Sequence, residues 1–274
     1  MELFGIDGLG WLIRLILGLF IGFCIGLTSI GGGVLVLPAL TVLLKLDPLV
    51  AVGTTTLYAF LTKITALFHH LHLKTINWSI SRPFLMGAIP ATCISAGWIS
   101  LKGADELFKA QLEKFIIGII FLGIALIIWN MCTHKKESEQ TSIIARYLQA
   151  HKAVHTLSAL LFGALCGGLV GATAIGGGVL VVPILMIVFG LRASQTVGTA
   201  LFLAFVMTLL TSLFYGVRGE QDIPTALIMS VSSTIGVWVG SRMSVKLPEL
   251  LLRSIVLGLV ILGAIMMCVK HGNS

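Results

Sequence analysis

Charged side chains are scarce. Asp, Glu, Lys and Arg make up 11% of the 274 residues, against about 25% in a soluble domain. With 57% hydrophobic residues and a mean hydropathy of +1.05, the chain cannot cover itself with polar surface. That excludes a water-soluble globule and makes lipid its solvent. Carboxylates are rarest where they would matter most. All 11 Asp and Glu fall near the ends of apolar runs or between them. No buried acid is available to carry a coupling proton or sodium ion, which leaves a uniporter, a channel-like permease, or coupling through histidine. A membrane enzyme would need a His/Asp/Glu cluster or a nucleophile with its base inside the spans. None is there, so no catalysis and no cofactor are expected.

Cysteine is also sparse. Cys24, Cys93, Cys132, Cys166 and Cys268 form no C-x-x-C pair and lack metal-site spacing. They read as small packing residues, and no metal is expected. A secretory leader pattern is absent: Glu2 and Asp7 stand where basic charge belongs. The first apolar run is therefore expected to be a retained helix. The net charge of +7 sits in short loops without an aromatic-laced basic stripe. That excludes nucleic acid as a partner and suits a membrane protein with basic loops.

What is present is a series of long apolar runs. Spans are expected at about 11–30, 50–70, 80–100 and 113–131, then 153–175, 195–216, 223–243 and 250–270. Each is long enough for a hydrocarbon core of about 30 Å. The polar segment 132–152 separates them, giving a first transmembrane repeat at 1–131 and a second at 153–274. Its Lys135, Lys136, Arg146 and Lys152 form the densest basic cluster, which places that segment in the cytoplasm. The expected fold is all-α, a polytopic helical bundle of two homologous halves in the inner membrane. A homo-oligomer is a further expectation.

The halves share a motif. Gly26–Thr54 aligns without a gap on Gly171–Thr199, 145 residues later, matching at 15 of 29 positions. The match includes Thr28/Thr173 and the triplets Gly31-Gly32-Gly33 and Gly176-Gly177-Gly178. It also includes Pro38/Pro183 and Val52-Gly53-Thr54/Val197-Gly198-Thr199. Three successive glycines cost about 1 kcal/mol each in a helix relative to alanine. Broken backbone inside a membrane is tolerated where it is packed in protein or lines a polar cavity. The triplets therefore mark helix breaks, followed by short apolar pieces at Val34–Leu44 and Val179–Gly190 that reach about half a bilayer. Proline fits best near a helix's first turn, so each restart is expected close to Pro38 or Pro183. Those pieces are either re-entrant half-helices or tilted crossings. Four crossings per half make the repeats parallel, and five make them inverted. Loop charge does not decide between these, and the inverted arrangement is the preferred expectation because paired interruptions mark transporter sites.

The pattern G-x-T-x-I-G-G-G-x-x-x-x-P followed by V-G-T, present twice with the same internal spacing, resembles the TauE/SafE sulfite exporter family over nearly the whole chain. The resemblance implies export or permeation of small sulfur-containing anions such as sulfite and organosulfonates. A serine usual after the Gly-Thr is Thr55 here in the first copy and Ala200 in the second. The candidate substrate-binding set is Thr28, Ser29, Gly31, Gly32, Gly33, Thr54, Thr55, Lys63, Thr173, Gly176, Gly177, Gly178 and Thr199, with Pro38 and Pro183 structural. Lys63 joins it as a cation deep in an apolar span, a functional position by default; its counterpart is Thr208. The hydroxyls of Thr54 and Thr199 either meet a solute or bond back to their own helices. Arg14 reads as an interfacial anchor. His69, His70 and His72 read as a solvated helix end. The expected partners are a small anionic substrate and the lipid bilayer. The alternatives are a membrane assembly or scaffold protein, or a carrier of an unrelated small anion.

Overall fold

A computed structural model describes residues 8–28, 33–72, 74–102, 107, 111–112, 114–119, 121–122, 125, 151–175, 177–178, 180–244, 258, 261 and 265. Every regular element among them is helical. The α-helices are α1 (Gly8–Thr28), α2 (Gly33–Pro38), α3 (Pro48–His72), α4 (Trp78–Lys102), α5 (Lys152–Thr173), α6 (Val181–Pro183), α7 (Ala193–Val217) and α8 (Ile223–Ser244). Two π-helical turns, π1 (Ala39–Leu43) and π2 (Ile184–Val188), follow α2 and α6 directly. Among the described residues, five helices are long and apolar enough to cross a membrane. The spans expected at 113–131 and 250–270 lie mostly outside the described residues.

Glycine decides which helices touch. Gly18, Gly22 and Gly26 of α1 face Met229, Ser233 and Val237 of α8 so closely that a Cβ at any of them would strike backbone. Gly163, Gly167 and Gly171 of α5 meet Phe84, Ala88 and Thr92 of α4 in the same way. Spacing by four puts three small residues on one helical stripe, and close backbone approach drives helix association in lipid. Each first helix thus packs on the other half's helix. Residue numbers rise together along both pairs, so α1 runs parallel to α8 and α5 parallel to α4. On the opposite side of the stripe, Leu12, Ile16 and Phe20 of α1 and Leu157, Leu161 and Leu165 of α5 are exposed, an apolar face for lipid.

The pair α3 and α7 runs antiparallel. Gly53, near the start of α3, abuts Tyr215 near the end of α7 and Glu220 just beyond it; Gly198, near the start of α7, abuts Thr75 beyond the end of α3. Phe60 and Phe205, 145 residues apart, meet between them with ring centroids 5.1 Å apart. Arg14 of α1 lies 3.9 Å from Asp222 and donates to Thr225 Oγ1 at 2.6 Å. Thr54 of α3 accepts from the Asp222 N–H at 2.9 Å. So α1, α3 and α8 all begin at one end of the bundle, and the short segment between α1 and α3 carries the chain back. Arg14 is an interhelical tie as well as a near-terminal cation, more than the interfacial anchor expected.

The short pieces differ from expectation in one respect. Pro38 is the sixth residue of α2, not near its start. Without an N–H, proline cannot continue the i−4 ladder, and the chain widens into π1 behind it. Leu44 N–H then reaches Ala39 O at 3.3 Å and Leu46 N–H reaches Leu40 O at 3.1 Å. Pro183 closes α6 and opens π2 with the same bonds, Phe189 to Ile184 at 3.4 Å and Leu191 to Leu185 at 3.1 Å. Each turn ends in left-handed backbone, at Lys45 (φ 53) and Gly190 (φ 64).

Candidate functional site

The two glycine motifs meet. A Cβ on Gly33 would strike the Ala174 carbonyl, with Ile175 Cα at 3.6 Å. Ala174, at φ 58, ends α5 in the left-handed region, and its N–H returns to Val170 O. Gly177 and Gly178 then line a small cavity of ≈ 30 Å³ with Lys63, Val182, Ala200 and Ala204. The lysine comes from one half and the glycines from the other. Lys63 is 9% exposed, and its Nζ donates to Ala59 O at 3.0 Å. An ammonium has three donors, and no described carboxylate pairs with this one. Thr208, its counterpart in the second half, bonds the equivalent carbonyl, Ala204 O, at 2.7 Å. The site is therefore built on matching backbone but carries charge on one side only.

The threonines of the V-G-T elements are occupied. Thr54 Oγ1 donates to Val50 O at 2.7 Å and accepts the Asp222 N–H at 2.9 Å. Thr199 Oγ1 accepts the Asn77 N–H, also at 2.9 Å. Asn77 and Asp222 are themselves 145 residues apart. Each caps the next helix: Asn77 Oδ1 accepts from Ser79 N–H at 3.1 Å, and Asp222 Oδ1 accepts from Thr225 N–H at 3.0 Å. The preceding glycines make this contact possible. A Cβ on Gly53 would strike Glu220 O, and one on Gly198 would strike Thr75 Oγ1. The V-G-T elements are thus reciprocal clasps, in which a glycine admits the opposite half's turn and a threonine fastens its backbone.

Thr55 is different. It is fully buried, and its Oγ1 has no hydrogen-bond partner among the described residues. Leaving such a group unpaired costs about 1–3 kcal/mol. Its counterpart Ala200 lines the Lys63 cavity. Thr173 turns inward on its own chain, donating to Leu169 O at 2.8 Å and accepting the Ile175 N–H at 3.2 Å. Ser29, Gly31, Gly32, Gly176 and the side chain of Thr28 lie outside the described residues, as do the side chains of His69 and His70. His72 is exposed at the end of α3.

Two structural groups escaped the sequence reading. The four-residue spacing Gly18-Gly22-Gly26 and Gly163-Gly167-Gly171 is a small-xxx-small signal, readable in principle. The Asn77/Asp222 pair has only its 145-residue offset and a following helix start to announce it.

The clasp gives a direct test. Thr199→Val leaves the Asn77 N–H without an acceptor and is expected to destabilise the purified protein by about 1–3 kcal/mol. Thr199→Ser restores the acceptor and most of the stability. Thermal midpoints in detergent read the difference, and equal midpoints for threonine and valine would remove the clasp.

A duplicated glycine motif, the one buried cation among the described residues and a bundle of apolar helices together suit a membrane transporter. The sequence model of the sulfite exporter TauE/SafE family matches residues 14–267. The chain belongs to that family. It is a multi-pass membrane transporter, with a small-molecule substrate and a lipid environment. Curated relatives carry matching descriptions. A probable membrane transporter protein of Bacillus subtilis, YjnA, is 27% identical over 253 residues, covering 92% of this chain and 97% of its own length. A second from Bacillus subtilis, YunE, is 24% identical over 251 residues, covering 86% and 87%. A probable membrane transporter protein of Haemophilus influenzae is 27% identical over 198 residues, covering 70% and 68%. No solved structure matches the chain significantly.

Proposed function

We propose that this family member moves small sulfur oxyanions, sulfite or organosulfonates, across the inner membrane through a site where the two glycine motifs meet. The observation that carries the reading is Lys63, a buried cation unpaired by any described carboxylate and facing Gly177 and Gly178 of the other half. A charge held inside a membrane without a counter-ion is expensive, and an anionic solute supplies that counter-ion. Thr55 adds a buried hydroxyl with no partner among the described residues.

The halves, 1–131 and 153–274 joined by 132–152, are in this proposal inverted repeats. Support comes from the antiparallel pair α3 and α7 and from the common end at which α1, α3 and α8 begin. An axis relating antiparallel spans lies in the membrane plane, as rocking-repeat carriers require. The cavity holds ≈ 30 Å³, about one water's share of the liquid, so the elements around it must part to admit a solute.

The test is flux into proteoliposomes. Labelled sulfite is expected to enter, and unlabelled methanesulfonate or sulfate is expected to compete, while sodium, potassium and neutral sugars do not. Transport of a cation with no transport of any oxyanion would overturn the proposal.

A further inference from the structure

The strongest feature outside the Lys63 cavity is a crevice of ≈ 300 Å³ at the end of the bundle where α4, α5 and α7 begin. Arg192, Gln195, His155, Asn77 and Ser79 line it. Arg192 and Gln195 are exposed, and no described residue takes the Arg192 guanidinium as an ion-pair partner. The His155 ring is held edge-on against Phe189 at 5.2 Å.

Three observations give this crevice a role. The first is asymmetry. The counterparts of Arg192, Gln195, His155 and Ser79 in the other half are Asp47, Val50, Gly10 and Pro224, which supply neither a cation nor a neutral side-chain donor, and the pocket beside Pro224 at the opposite end is apolar. The second is the distribution of charge. The described carboxylates, Asp47, Glu220 and Asp222, all stand at that opposite end, beside the starts of α3 and α8. The crevice end has Lys74, Arg82 and Arg192 with no described acid, whereas the cations of the opposite end stand among those carboxylates, Arg14 already paired with Asp222. The third is continuity. Val197, Ala200 and Leu201 line the Lys63 cavity, and they follow Arg192 on α7 within nine residues, about 13 Å of rise.

We propose that this crevice is a second anion site, a cytoplasmic receiving site that takes small oxyanions from solution before they reach Lys63. The side follows from the sequence. His155 lies near the start of α5, which directly follows the basic segment holding Lys135, Lys136, Arg146 and Lys152, and such segments stay in the cytoplasm. Arg192 supplies the charge and a planar fork suited to oxyanions, and Gln195 and Ser79 supply neutral donors. The site deepens the transport proposal by giving it a cytoplasmic point of entry for export.

The test labels thiols introduced by Gln195→Cys and, as a second position, Ser79→Cys, against the parent protein as background. Anionic sulfonatoethyl and cationic trimethylammonioethyl methanethiosulfonates are the probes. Both thiols are expected to react in inside-out vesicles and not in right-side-out ones. The anionic-to-cationic rate ratio is expected to fall about three- to fivefold with Arg192→Gln, as an exposed charge allows, and to persist with Arg192→Lys. High salt should abolish the preference, and millimolar sulfate should slow labelling only while Arg192 is present. An unchanged ratio in Arg192→Gln, or reaction from the outer face, would overturn the proposal. So would protection by dilute phosphatidylglycerol but not by sulfate, which assigns the crevice to a lipid headgroup. Labelling reads the crevice without transport, so a crevice that behaves as expected in a protein that moves no oxyanion would sink only the flux reading.

Discussion

Lys63→Met is expected to lower oxyanion flux by roughly two to three orders of magnitude at equal protein density in the membrane. The reasoning is electrostatic. In a water-poor site, removing one member of a close charge pair costs about 3–5 kcal/mol, and here the other member is the solute. Methionine keeps much of the length and apolar stem, so packing against Val182 and Ala204 changes little. Lys63→Arg keeps the charge, but its fork is larger and flatter than an ammonium, and the ≈ 30 Å³ cavity has little room for it. Partial flux is expected. Thr208→Lys in the Lys63→Met background moves the charge to the equivalent position of the other half. Rescue there would show that the site needs one cation on either wall. Equal flux from wild type and Lys63→Met would remove the lysine from the site.

The second large effect concerns two neighbouring glycines of α5, with opposite signs. A Cβ at Gly167 would meet Ala88 Cα at 2.7 Å and Thr92 Oγ1 at 2.8 Å, besides striking the Ala88 carbonyl. Backbone cannot yield as a side-chain tip can, so α4 and α5 must separate. Gly167→Ala is expected to cost about 3 kcal/mol, and Gly167→Leu to prevent accumulation of folded protein. Gly168 has nothing within 4 Å of an added Cβ. Gly168→Ala gains helix propensity and should stabilise the protein by about 1 kcal/mol. Paired thermal melts in one detergent measure both. Equal responses would mean that the glycine stripe does not set the helix spacing.

The spans were the most legible part of this protein. Expected runs at 11–30, 50–70 and 80–100 correspond to α1, α3 and α4 with shifts of two or three residues at each end, because twenty apolar residues leave few other solutions. The meeting of the two glycine motifs could be anticipated from their duplication. Other features were hidden for physical reasons. The partner of Thr54 is the backbone N–H of Asp222, a group every non-proline residue owns, so no letter in the sequence marks it. The stripe Gly163-Gly167-Gly171 was submerged among 31 glycines, and which faces touch depends on helix direction. Pro38 read as a helix beginner, and it instead closes a helix: π1 follows it directly, and Thr41 Oγ1 donates back to Leu37 O at 3.0 Å. Lys63 was visible as an anomaly. That it would face the other half's glycines depends on the antiparallel crossing of α3 and α7.

The exchange of partners between halves bears on how the protein is made. Arg14 and Thr225 are 211 residues apart in sequence, and the glycine face of α1 closes on α8 just beyond. At roughly 5–20 residues per second of synthesis, about 10–40 s pass between the emergence of α1 and that of its neighbour. Throughout that interval the first helix sits in lipid with its narrow face unmatched. The Asn77 end of α4 waits for Thr199, 122 residues later. Neither half can reach its final packing alone, so ribosome pausing or truncation in the second half strands the first in an unfinished state exposed to membrane quality control.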